Sequence, residues 1–203
     1  SDVLDIGCGR GEFLQLLRER GVKARGVDVN HEMVETCRSH GLEVIEGDGF
    51  EYLASLADGS LGGLFAAQVV EHLDPGRLIR LLEVAFSKLR PGARIVLETI
   101  NPACWAAFFD SYIRDLTHVR PVHPETLRYL LQASGFQSVD IRYRAPYPEA
   151  ARLQPIAVPA PAADPSAGEW TLLDFAETFN ANVAKLNALL FTYLDYVAVG
   201  TRA

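Results

Sequence analysis

Asp5-Ile6-Gly7-Cys8-Gly9-Arg10-Gly11-Glu12-Phe13 follows an apolar run at residues 2–6 and opens an amphipathic stretch over 11–20. An apolar run, a glycine-rich turn and a helical period, in that order, predict a strand, a tight loop and a helix. Glycines at alternate positions permit positive φ and let a ligand approach the backbone with no Cβ in the way. The helix start behind them offers unpaired N–H groups. The dinucleotide fingerprint G-x-G-x-x-G/A needs a small residue at its sixth position. Counting from Gly7, that position is Glu12, a carboxylate where a pyrophosphate would sit, so the loop argues against a dinucleotide.

Outward from this loop the alternation continues. Strands are predicted at 23–28, 42–46, 61–67 and 93–99, with helices at 31–39, 50–56 and 75–89 between them. That is the pattern of βαβ units around a parallel sheet. In the first helix Leu14 and Leu17, with Val22 after it, face inward while Arg18, Glu19 and Arg20 face water. Past residue 100 come Asn101-Pro102, an aromatic stretch (Trp105, Phe108, Phe109, Tyr112), and a helix begun by His123-Pro124-Glu125 that runs to about Ser134. Val139, Ile141 and Tyr143 alternate as a strand, and Tyr196-Val197-Ala198-Val199 reads as the last. Between them, 145–168 is a Pro/Ala-rich loop or arm with six prolines, too poor in large apolar side chains to build its own core. A helix over 169–190 carries Leu172, Phe175, Phe179, Val183, Leu186 and Leu190 at helical spacing. Its stripe packs on the chain's own sheet or on a partner, and the sheet is the simpler reading. The domain plan is a single unit, 1–203, with 145–190 inserted before the last strand.

Nineteen basic and twenty-six acidic residues among 203 leave a net charge of −7, which argues against a broad grip on nucleic acid or an anionic membrane. No apolar stretch reaches the roughly 18 residues that span a bilayer. Cys8, Cys37 and Cys104 are odd in number and lack zinc-like spacing, so neither a disulfide framework nor a metal site is expected, and a reducing cytoplasm fits. There is no signal-peptide pattern. Opening directly on a strand suggests a native protein that begins further upstream.

Asp28 closes the second strand about twenty residues after the glycine loop, where an acid accepts hydrogen bonds from ribose hydroxyls. Taken alone it reads as a helix N-cap. Gly47-Asp48-Gly49 closes the third strand, where a carboxylate reaches an adenine amino group. Three successive strand ends then converge on one nucleoside at the carboxyl edge of the sheet.

The segments Asp5-Ile6-Gly7-Cys8-Gly9-Arg10-Gly11, Asp28, Gly47-Asp48, Gln68-Val69-Val70-Glu71-His72-Leu73, Leu89-Arg90-Pro91-Gly92 and Asn101-Pro102 resemble, in order and kind, the class I S-adenosylmethionine-dependent methyltransferases. The resemblance covers about half the chain. It implies a doubly wound seven-stranded α/β sheet in the order 3-2-1-4-5-7-6, its last strand antiparallel. It also implies S-adenosylmethionine as cofactor, with S-adenosylhomocysteine as product. Among site residues, Asp5 belongs to the glycine motif, Gly7 and Gly9 would hold the methionine part, Asp28 with Val29 the ribose, and Met33 would pack on adenine. Gly47, Asp48, Gly49 and Phe50 would take the other adenine edge, and Gln68 the methionine amino group through its backbone. A helix usually precedes the first strand in this family and is absent from this chain. Asp115-Leu116-Thr117-His118-Val119-Arg120-Pro121, His123-Pro124-Glu125 and the distal 185–196 stretch resemble, more narrowly, bacterial methyltransferases encoded with glycosyltransferases. That likeness implies a sugar, glycan or glycan-phosphate acceptor and polysaccharide biosynthesis.

Methyl transfer from a sulfonium is an in-line displacement that demands alignment and exclusion of water. A hydroxyl acceptor adds a general base, whereas an anionic acceptor needs cations instead. His72, just past the fourth strand, and His118 and Arg120, in the loop after the aromatic stretch, are the candidate catalytic and acceptor-contacting residues. His72 otherwise helps to cap the next helix, and His118 otherwise pairs with Asp115. Arg114, Glu98 and Asn101 are further acceptor candidates. The aromatic stretch is a sugar wall or core packing, with packing the safer reading. His123 reads as a helix start, Lys88 and Arg90 as a helix C-terminus, and Cys8 lacks the paired base of a nucleophile. Two other classes fit parts of the sequence. One is a non-catalytic scaffolding subunit that docks a partner, or a second copy, through 169–190. The other is a nicotinamide-dependent oxidoreductase, which the glycine spacing disfavours.

Overall fold

Leu4, Asp5 and Ile6 are all buried, as a strand covered on both faces requires. They belong to β1 (Asp2–Ile6), which pairs in parallel with β2 (Lys23–Asp28) on one side and β4 (Leu61–Ala67) on the other. The computed structural model describes residues 2–158 and 172–203. With β3 (Val44–Glu46), β5 (Leu89–Ile100), β6 (Phe136–Pro146) and β7 (Tyr193–Arg202) the strands form one seven-stranded sheet in the order β3-β2-β1-β4-β5-β7-β6. β7 runs antiparallel to both β5 and β6. This is the sheet that the family resemblance implies.

Two cores flank it. On one face α1 (Glu12–Glu19) and α2 (His31–Ser39) close over Cys8, Leu14, Val34, Cys37, Leu42 and Val44. On the other, α3 (Gly49–Ser55), α4 (Pro75–Lys88) and α6 (Pro124–Ala133) pack Leu53, Leu81, Leu82, Leu127 and Leu131 against Leu64, Ile95 and Leu97. The helix starts are marked by their caps: Asn30 for α2, Asp48 for α3, Asp74 followed by Pro75 for α4, and His123 followed by Pro124 for α6. His123 is thus the helix-start residue that the sequence indicates. Lys88 closes α4 and pairs with Asp58 at 2.7 Å, while Arg90 donates to the Ser60 carbonyl.

Several boundaries differ from expectation. β5 begins at Leu89 instead of 93, because the Pro91-Gly92 turn signal is a bulge inside the strand: Leu61 faces Leu89, then Gly63 faces Arg94. The aromatic stretch winds into α5 (Trp105–Ala107) and a π-helical turn over Phe108–Tyr112. Of the predicted 145–168 loop, 145–146 belong to β6 and 159–168 lie outside the described residues, as do 169–171 of the predicted final helix. That helix, α7 (Leu172–Leu190), rests on α5 and on the segment around 153–156. Among the described residues its buried Ala176 and Val183 join neither core, so the expected packing of its stripe on the sheet is not found. Two asparagines hold it, Asn180 bonding both ways with Ile156 and Asn187 with Leu153. Among the described residues, no helix is long and apolar enough to cross a membrane.

Candidate functional site

At the carboxyl edge of the sheet, a cavity of about 310 Å³ opens between the ends of β1, β2, β3 and β4. Gly7, Asp28 with Val29, Gly47 to Phe50, Gln68 and His72 line it. Residues distant in sequence meet there because each follows a strand of the same parallel group. Gly7, Gly9 and Gly11 all have positive φ, at 68°, 53° and 83°. At Gly7 an added Cβ would also lie 2.7 Å from Val69 Cγ2, while at Gly9 it would meet nothing within 4 Å. The first glycine is therefore required by packing and the second leaves open space over the loop.

Asp28 is not the N-cap of α2; Asn30 is, its side chain accepting from the N–H groups of Glu32 and Met33. Instead, Asp28 Oδ2 accepts from Gly9 N at 2.8 Å and Oδ1 from Asn30 N at 2.8 Å. The carboxylate ties the glycine loop to the end of β2 and still has a lone-pair site on each oxygen. Beneath it Asp5 is buried, and burial, with Asp28 and Glu12 close by, pushes its pKa up to about 8. Burial likewise raises the Cys8 thiol, which disfavours the thiolate that a nucleophile needs. Asp48 caps α3 through Oδ1 and meets Arg77 through Oδ2. Burial raises its carboxyl, but the N–H groups of Glu51 and Phe50 and the Arg77 guanidinium outweigh that and hold it below the usual range.

His72 stands on the cavity wall just beyond β4. Its Nδ1 lies 3.1 Å from the Thr117 carbonyl oxygen, which only accepts, so Nδ1 carries the proton and Nε2 is left as an acceptor. Thr117 Oγ1 also lies 3.1 Å from Nδ1 and donates to Asp115 Oδ1 at 2.6 Å. Asp74, rather than His72, caps α4. His118 sits behind His72, ring centroids 4.8 Å apart, stacked on Tyr112 and donating from Nδ1 to the Tyr112 carbonyl at 2.7 Å. Its side chain is only 6% exposed and its Nε2 is 3.9 Å from Asp115. The buried Glu71 lies beside both rings, with burial raising its carboxyl. One donor atom each from Glu71, His72 and His118 falls within 4.8 Å of the others, close enough to share one cation.

Not every expected residue joins the cavity. Asp5, Gly9 and Met33 do not line it, and His118 is a supporting group behind its wall. Arg120 is exposed and borders a separate groove between the starts of α4 and α6 that shares Leu73 with the cavity. Asn101 is buried and structural: its amide donates to the Tyr193 carbonyl and its Oδ1 accepts from Ala103 N. Glu98 lies in a shallow cleft with Arg94, Arg142 and Arg144 on the open face of β5, β7 and β6. Arg114 is an exposed side chain 4.0 Å from Asp110. The aromatic stretch divides, with Tyr112 buried and Trp105 and Phe109 exposed. Sequence reasoning missed Arg77, Thr117 and the buried Glu71. For Glu71 a signal existed, since it stands beside His72 within Gln68-Val69-Val70-Glu71-His72-Leu73.

The methyltransferase domain family matches residues 1–141, and the chain belongs to that family. A crystal structure of an S-adenosylmethionine-dependent methyltransferase from Archaeoglobus fulgidus superposes with a TM-score of 0.86 at 38% identity, covering 98% of this chain and 85% of that one. The domain is therefore an S-adenosylmethionine-dependent methyltransferase domain. A ubiquinone biosynthesis O-methyltransferase of Xanthomonas oryzae pv. oryzae is 33% identical over 112 residues, 51% of this chain and 46% of that protein. The chain thus spans about half the length of the curated relatives it matches. A phosphoethanolamine N-methyltransferase of Haemonchus contortus, solved with S-adenosylhomocysteine, shares the fold alone: TM-score 0.66 at 13% identity, over 100% of this chain and 48% of that one. The relatives' names speak of ubiquinone rather than glycan synthesis.

Proposed function

We propose that the chain transfers the methyl group of S-adenosylmethionine to an oxygen of a small hydroxylated acceptor, with His72 as general base. The observation that carries this is the fixed imidazole on the cavity wall, its Nδ1 proton committed to Thr117 and its Nε2 left to accept. The residues around the cavity fit the cofactor: Gly47 leaves open space over its backbone, and the oxygens of Asp28 keep lone pairs for ribose hydroxyls. When bound, S-adenosylmethionine supplies an electrophilic methyl on a sulfonium. Asp28 holds the ribose, Asp48 the adenine edge, Gly7 and Gln68 the methionine end, and Val29 and Phe50 exclude water. His72 Nε2 takes the acceptor's proton, and Thr117 with Asp115 keeps the ring turned toward it. The word O-methyltransferase in the relatives' names supports oxygen as the acceptor atom. Arg120, exposed beside the shared Leu73, supports a second reading in which the oxygen belongs to a glycan phosphate. Three buried, unpaired cysteines support a reducing compartment such as the cytoplasm. The exposed apolar side chains of α7 support pairing through that helix, with a second copy or a glycosyltransferase.

Turnover of labelled cofactor against phenolic diols and against sugars with and without phosphate tests this. His72→Ala is expected to lower kcat by about 10²- to 10⁴-fold with cofactor affinity unchanged. Full kcat in that variant would remove the base assignment. Activity on phosphorylated sugars alone, lost in Arg120→Ala, would establish the second reading. Cofactor binding without turnover on any acceptor would favour a scaffolding subunit.

A further inference from the structure

At one end of the cavity Arg77 Nη2 lies 2.5 Å from Asp48 Oδ2, joining the first turn of α4 to the cap of α3. The two side chains are 43% and 40% exposed, and pairs this accessible contribute at most about 1 kcal/mol to folding. Stability does not account for the pair. Both residues line the cavity, and the Arg77 guanidinium carbon sits 5.8 Å from the centroid of the Phe50 ring, also on the wall. The base of Arg77 is held as well, its N–H bonded to Asp74 Oδ1 at 3.0 Å.

The lone pairs of Asp48 can be counted. Oδ1 accepts from Phe50 N at 2.8 Å and Glu51 N at 3.1 Å, which fills it. Oδ2 accepts from Arg77, which leaves one site. Because a carboxylate and a guanidinium meet in a preferred plane, the position of Arg77 decides where that last site points.

We infer that Arg77 is a positioning residue for the cofactor's base: it aims the remaining lone pair of Asp48 Oδ2 at the exocyclic amino group of adenine. The inference rests on the reading of this cavity as the cofactor site. Its consequence is selectivity. A 6-amino purine donates to Oδ2, whereas a 6-oxo purine sets acceptor against acceptor.

Calorimetric titration of the whole chain with S-adenosylhomocysteine and with S-inosylhomocysteine tests it in the wild type, Arg77→Leu, Arg77→Lys and Asp28→Ala, each checked for a wild-type thermal melt. The wild type is expected to prefer the adenine compound by at least about tenfold. Arg77→Leu should lose about tenfold for that compound and little for the inosine one, so the preference collapses, and Arg77→Lys, a point charge without the guanidinium plane, should restore little of it. Wild-type selectivity in Arg77→Leu, with Asp28→Ala weakening both ligands, would overturn the inference and leave the cofactor site standing. Unchanged binding of both ligands in Asp28→Ala would overturn the site and the inference together.

Discussion

Asp5 carries a carboxyl that burial pushes up to a pKa of about 8, beneath a loop that Asp28 holds by accepting from Gly9 N. In the unfolded chain its pKa is about 3.9. The stability that Asp5 contributes is therefore full below about pH 4 and is lost as the pH rises to about 8, because over that window the unfolded state releases a proton that the folded state keeps. Asp5→Asn, which mimics the protonated acid, should gain on the wild type by roughly 1–4 kcal/mol between pH 5 and pH 8 in urea unfolding. A gap that does not move with pH would contradict this. Asp5, Asp28 and Asp48 were legible in the sequence because each stands at the end of a strand in a motif read locally. The support of His72 was not: Thr117 is 45 residues away, and only the return of the 115–120 loop, whose Val119 and Arg120 N–H groups bond the Glu71 carbonyl, brings it near. His118 was favoured as an acceptor contact over its pair with Asp115, which the fold brings within 3.9 Å. In the fold, Tyr112 and the backbone enclose it.

The elements most faithful to sequence expectation are β1, β2, α2 and β4, whose ends carry glycine or capping residues. Where turn residues fall inside an element the reading fails, as at Pro91-Gly92, which the strand absorbs as a bulge. The π-helical turn over Phe108–Tyr112 escaped because aromatic spacing there follows no single period. α7 shows the limit of periodicity, since an apolar stripe says that a face is to be covered and not by what. Leu172, Phe175, Phe179, Leu186 and Leu189 remain exposed on it, an arrangement that isolated surface residues do not produce. If the helix pairs two copies, sedimentation velocity at tens of micromolar should show a dimer. Combined Phe179→Glu and Leu186→Glu substitution should convert it to a monomer with an unchanged melt. A wild-type monomer at those concentrations would rule out self-pairing through α7.

For the molecule as a whole, the parallel half of the sheet matters most to function. β3, β2, β1 and β4 all end at one edge, and their exits bring two acids, Asp28 and Asp48, the first glycine of the loop and an imidazole to one cavity. The alternation of strands and helices was readable from periodicity, while the strand order came from the family resemblance that the motifs carry. The antiparallel last strand was expected from the family resemblance, whereas the open face that gathers Arg94, Glu98, Arg142 and Arg144 was placed only by the fold. The central claim is that this edge binds S-adenosylmethionine through Asp28, and titration of the wild type and Asp28→Ala with S-adenosylhomocysteine, with NADH as the competing ligand, tests it most directly. Saturable one-to-one binding in the wild type, weakened by at least about tenfold in the variant and absent with NADH, is the expected result. Equal affinity in the two proteins, or saturable binding of NADH, would contradict the account.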